Sequence, residues 1–168
     1  MAHPLVLALF PTSTAAAAGA RALHGLGISR EQISVVSRNH DEAGALAEEM
    51  DASPGADIED SRPAARLGEL GGLVLAAMAL VMPGIGPIVA AGPMSADLGE
   101  AAGHAAGGVA SVLAKAGLAE DIAQTFQNEV EQGAVLIGVH VTSGDIGAVT
   151  EAVRASGATR TGSATWPD

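Results

Sequence analysis

Cysteine is absent from this chain. That removes a disulfide framework, a thiolate nucleophile and any Cys-ligated zinc or iron–sulfur centre, and it is compatible with a reducing cytoplasm. Aromatic residues are almost absent too: Phe10, Phe126 and Trp166 are the whole set, with no tyrosine. A core built largely from Ala and Gly has little side-chain volume per residue, so backbones must approach closely or chains must associate to bury enough apolar area. Basic residues are scarce, eight against nineteen acids, for a net charge of −11. Without a basic patch there is no footprint for a nucleic-acid backbone, and electrostatic docking to anionic lipid is disfavoured as well.

What is present fits one domain carrying a large insertion, since 168 residues match a single core. The opening "MAHPLVLALFPTSTAAAAGA" mimics a secretory leader. However, its apolar run (5–10) is short, has no Lys or Arg before it and is bracketed by Pro4 and Pro11. It reads instead as a buried first strand. Thr12 or Ser13 can cap a helix to about residue 26, and the β-branched "QISVVS" (32–37) reads as a second strand. The far end repeats the order: "GAVLIGVHV" (133–141) as a strand, a helix capped by Ser143 or Asp145, and "ATRTGSATW" (158–166) as an edge strand. Two such units predict an α+β fold, a ferredoxin-like βαβ–βαβ sandwich. The divisions are a first half (1–38), an acidic linker (39–62), a helical Gly/Ala-rich insertion (63–132) and a second half (133–168).

The insertion is too long for a plain loop. Three helices are predicted in it, over 62–82, 95–116 and 119–132, the last with Ile122, Phe126 and Val130 on one face. Pro83 and Gly84 end the first, and Gly86, Pro87, Gly92 and Pro93 keep the next stretch from re-forming one. Gly68 and Gly72, and then Gly99, Gly103 and Gly107, recur at spacing four. Glycine inside a helix costs roughly 1 kcal/mol against alanine. Such a ridge is therefore expected where a second backbone lies against it, as in small-x-x-x-small helix pairs. These eleven glycines and prolines are the candidate interface.

The stretch from 70 to 96 carries no charge. As a helix, its first arm (70–82) would be about 20 Å long, short of a ~30 Å hydrocarbon core, and the following Pro/Gly backbone would go unsatisfied in lipid. Burial inside a homo-oligomer or against a protein partner is the leading expectation, in the cytoplasm. The alternative is a scaffold peripheral to the inner membrane, whose apolar hairpin meets lipid or a lipid-like molecule such as a quinone.

The element order, with "PGIGPIVAAGP" (83–93) and "EQGAVLIGVHV" (131–141) as its most specific motifs, resembles a bacterial family of general stress proteins of the heat-induced type. The function of that family is uncharacterised, and its members are often labelled membrane proteins because of the same central segment. The resemblance runs from Leu5 to Gly157. It implies stress or starvation association and supplies no catalytic residues to carry over.

Other chemistry finds little footing. "GIGPIVAAG" has a proline where a dinucleotide fingerprint needs a helix start. Asp97, Glu100 and His104 are spaced to share one side of a helix, which is the pattern for a divalent metal or a proton relay; a paired polar stripe gives the same spacing. The acids near Asp51 miss the EF-hand register at Ala56 and Arg62. His140, alone in an apolar strand, is expected to be a hydrogen-bonded structural residue. No nucleophile motif is visible, so neither an enzyme nor a cofactor is predicted.

Overall fold

The computed structural model describes residues 2–38, 78–82, 86–103, 108–142 and 144–167. The first strand, β1 (His3–Phe10), is buried from Leu5 onward. Thr12 then turns the chain into α1 (Ser13–Gly25), its extended backbone placing the hydroxyl to accept the Ala15 N–H at 3.1 Å. A single 3₁₀ turn (Arg30–Gln32) leads into β2 (Ile33–Arg38). At the other end, β5 (Val135–His140), α5 (Ile146–Ala155) and β6 (Arg160–Trp166) follow in order. Asp145 caps α5 by accepting the Gly147 N–H at 2.7 Å. These six elements stand where the apolar runs and caps placed them.

The central segment departs from expectation. Residues Met78–Met82 form a strand, β3, not the end of a helix, and Gly86–Ala91 form a second strand, β4. The two pair antiparallel from Met78↔Ala90 to Met82↔Gly86, a β-hairpin in place of a helical one. The physical reason lies in burial: on β4, Ile88 and Ala90 pack to one side of the sheet and Val89 and Ala91 to the other. A strand buried on both faces is a continuous apolar run with no polar beat to reveal its period of two. The helix expected over 95–116 is also corrected, to two helices, α2 (Met94–Ala102) and α3 (Val109–Lys115). Gly103 caps the first and Gly108 opens the second, so the glycines here interrupt the helix. The last helix, α4 (Glu120–Glu131), forms where expected, but its buried residues are Ala123, Phe126 and Val130, and Ile122, expected on the same face, is exposed. The acidic linker and the rest of the insertion's first helix lie outside the described residues.

The fold is α+β, with one antiparallel six-stranded sheet in the order β3-β4-β2-β5-β1-β6. Both faces are covered. On one, Leu5, Leu7, Leu9, Val36 and Leu136 meet Leu98, Val112, Leu113 and Phe126 from α2, α3 and α4. On the other, Val6, Ala8, Phe10, Val35 and Ile137 meet Ala16, Ala20, Leu23, Val149 and Val153 from α1 and α5. The result is a three-layer arrangement with the sheet in the middle.

This core solves its shortage of bulk in a specific way. Three of its large side chains, Phe10, Phe126 and Met94, are lodged against a glycine. A Cβ on Gly19 would sit 2.6 Å from Phe10 Cζ, one on Gly162 would sit 3.3 Å from Phe126 Cζ, and one on Gly138 would sit 2.7 Å from Met94 Sδ. Close packing at interior density forces such pairings.

Candidate functional site

The candidate interface positions scatter. Gly68, Gly72, Pro83, Gly84 and Gly107 lie outside the described residues. Gly86 and Pro87 open β4. Gly92 makes a true backbone crossing, but with its own chain. Its φ is +84°, and an added Cβ would lie 2.1 Å from the Ile33 carbonyl oxygen and 2.7 Å from Ser34 Cα. Pro93 then starts α2. Gly99 is half-buried on that helix, and Gly103 is exposed at its end, where the nearest atom to an added Cβ is the Glu100 carbonyl oxygen at 3.4 Å.

Of the candidate metal ligands, Asp97 is half-buried in the first turn of α2, where a carboxylate complements the helix dipole, and Glu100 is exposed. His104 lies outside the described residues. No group of three His, Asp or Glu side chains among the described residues is close enough to hold a metal ion.

The structure does bring together a set that the sequence left scattered. Ser34 on β2 and His140 on β5 are the buried polar side chains of the described core, 0% and 3% exposed. Because β5 lies between β2 and β1, His140 reaches both neighbours. Its Nε2 is 3.1 Å from Ser34 Oγ, and its Nδ1 is 2.9 Å from His3 Nε2. Ser34 Oγ in turn accepts the backbone N–H of Met94, the first residue of α2, at 2.9 Å. Trp166 stands edge-on to the His140 ring at 5.1 Å. The Gln32 side-chain amide donates to the His140 carbonyl at 2.9 Å, fixing the strand end.

Hydrogen-bond accounting sets the direction of this chain. With Met94 N–H already donating to Ser34 Oγ, the serine satisfies its own O–H by donating to His140 Nε2. The proton of neutral His140 then sits on Nδ1 and points at His3. Burial, and secondarily the charge of His3, push the His140 imidazole down to about 4, so it is neutral at pH 7. His140 is thus hydrogen-bonded, as a strand histidine should be, but its partners depend on strand order and could not be read from spacing.

Serine, histidine and a second histidine within bonding reach have the outline of a nucleophile, its base and an orienting group. Ser34 cannot act in that role here: it is fully buried, and its oxygen is held by the Met94 amide. A cleft of about 330 Å³ lies elsewhere, between α3 and α4, lined by Gly108, Ser111, Gln124 and Gln127 among others. There the Gln127 side-chain oxygen already accepts the Ala110 N–H at 2.8 Å. No described helix is long and apolar enough to cross a membrane. No family model, no curated protein and no solved structure matches this chain.

Proposed function

We propose that this protein is a non-enzymatic assembly module in which copies associate through the apolar hairpin β3–β4 at the edge of the sheet. The architecture behind the proposal is a ferredoxin-like unit. Strands β1, β2, β5 and β6, in the spatial order β2-β5-β1-β6 with α1 and α5 on one face, fit two βαβ halves. The intervening chain adds the hairpin beside β2 and lays α2, α3 and α4 over the second face. The stress association implied by the family resemblance belongs to the same reading.

The observation that carries it is the character of β3. Among the described residues it is an outermost strand, paired on one side by β4, and its sequence "MALVM" holds no charge and no proline. Edge strands usually carry Lys, Pro or a bulge to prevent sheet-to-sheet pairing, and among its described residues this one has neither Lys nor Pro. A second copy is the natural occupant: antiparallel pairing of two β3 strands about a two-fold axis joins the sheets by an isologous contact. A net charge of −11 repels copies elsewhere, which makes the uncharged 70–96 stretch the favoured place to meet.

Size-exclusion chromatography with light scattering tests this. The wild type is expected as a dimer or larger at micromolar concentration, and Val81→Lys, which puts a charge on the edge strand, as a monomer with an unchanged far-UV spectrum. A monomeric wild type refutes the proposal. Recovery of the wild type only with detergent or vesicles would favour lipid contact by the same hairpin.

A further inference from the structure

The chain His3–His140–Ser34–Met94 has a property that goes beyond assembly. It runs from a half-buried residue, His3, to the backbone at the junction of β4 and α2. We propose that it is a proton-directed latch: protonation of His3 reverses the hydrogen bonds along the chain and loosens the hold on the head of α2.

The argument rests on donors and acceptors. In the neutral chain, His140 Nδ1–H donates to His3 Nε2, and Ser34 O–H donates to His140 Nε2. When His3 becomes an imidazolium, both its ring nitrogens are donors. Two N–H groups cannot face each other across 2.9 Å, so His140 must accept at Nδ1 instead. One proton enters from solvent. The proton on His140 Nδ1 passes to His3 Nε2, the incoming proton ends on His140 Nε2, and the added positive charge rests on His3 while His140 stays neutral. Ser34 Oγ then accepts from both His140 Nε2–H and Met94 N–H, and its own O–H loses the acceptor it had. A buried hydroxyl without an acceptor is costly, and the strain falls on the Met94 amide.

The surroundings favour this order of events. Of the described residues, the titratable group facing His140 is His3 on β1. The other neighbours carry no charge: Ser34 and Gln32 from the β2 side, Trp166 on β6 and Met94 at the head of α2. The positive charge of His3 is one of the two causes that keep His140 neutral, so the two rings do not charge together.

The junction is tightly built, which gives the latch something to act on. Two residues before Met94's partner bond, Gly92 crosses the β2 backbone, and the Met94 side chain lodges against Gly138. Loosening at Met94 therefore reaches both the hairpin and the helix that covers it.

Long-range ¹H–¹⁵N correlation spectra of the imidazole rings, recorded on the full chain from pH 8 to 4.5, read the tautomer directly. His140 is expected to carry its proton on Nδ1 at pH 8 and on Nε2 wherever the same spectra show the His3 ring with two protons. Over the same range the exchange protection of the Met94 amide should fall roughly tenfold. In His3→Gln, whose side-chain oxygen can accept the Nδ1 proton, His140 should keep the Nδ1 form at every pH at which the ring is neutral. One tautomer of wild-type His140 whether the His3 ring carries one proton or two overturns the proposal, as does a reversal that persists in His3→Gln. The wild-type spectra decide alone if the variant fails to fold, and none of these readouts depends on oligomeric state.

Discussion

Replacing Gly92 by alanine should be among the most damaging single-methyl additions this protein can receive. The methyl group would sit 2.1 Å from the Ile33 carbonyl oxygen and 2.7 Å from Ser34 Cα, both backbone atoms of a strand locked into the sheet. No rotamer change relieves such a contact. Overpacking of this kind costs roughly 1–3 kcal/mol, and the left-handed backbone at φ +84° adds about 1–2 kcal/mol for any residue with a Cβ. The sum is about 4 kcal/mol, a large share of the ~5–15 kcal/mol that holds a domain folded. Urea unfolding followed by far-UV circular dichroism measures it. Gly103→Ala is the control, because that glycine is exposed, has φ −77° and among the described residues meets only the Glu100 carbonyl at 3.4 Å. It should be neutral or stabilise by about 0.5 kcal/mol through the unfolded chain. A loss under about 1 kcal/mol for Gly92→Ala, or an equal loss for both variants, would refute the claim that the first glycine exists for a backbone crossing and the second does not.

Two further outcomes follow from the same geometry. His140 titrates near 4 when folded against about 6.5 when unfolded, so between these values the unfolded chain binds more protons. Its contribution is complete above pH 6.5 and is lost as pH falls to 4, about 3 kcal/mol in all, and urea midpoints taken along that range should lose this slope in His140→Gln. Asp145→Ala removes the acceptor of the 2.7 Å bond from Gly147 N–H at the start of α5 and should cost about 1 kcal/mol in the same assay.

The outer elements were legible because each carries its own punctuation. Pro4 and Pro11 bracket the apolar run of β1, Thr12 and Asp145 cap the helices of the second layer, and the apolar run of β5 ends at a turn. Residues 78–91 lacked any such mark. On β4 the period of two is hidden by burial on both faces, and glycine and proline within an apolar run suit a broken helix as well as a hairpin. The spacing of Gly103 suits a surface for another helix, whereas its position at a C-cap makes it a boundary, as Gly108 is at the next N-cap. The premise that glycines mark close approach survives at Gly92 and Gly138, where the neighbour belongs to the same chain. His140 was visible as a polar residue in an apolar strand. Its link to Ser34 and His3 was not, because it needs the order β2-β5-β1, which brings together positions more than a hundred residues apart in sequence.

The covering of both sheet faces narrows where a second protein can bind through the sheet. With α1 and α5 on one side and α2, α3 and α4 on the other, what the sheet still offers among the described residues are its two edge strands. They differ sharply. β6 alternates polar and small residues, is mostly exposed or half-buried, and is guarded by Arg160, paired to Glu129 at 3.1 Å. Bringing two copies together there would desolvate that pair and crowd like charges. β3 has neither obstacle in its sequence, and it lies within 70–96, the longest segment that a chain of net charge −11 leaves uncharged. An acidic protein that keeps one strand free of charge at the rim of a sheet closed on both faces has its least repulsive approach at that rim. That asymmetry, more than any single glycine, is why association should run through the hairpin.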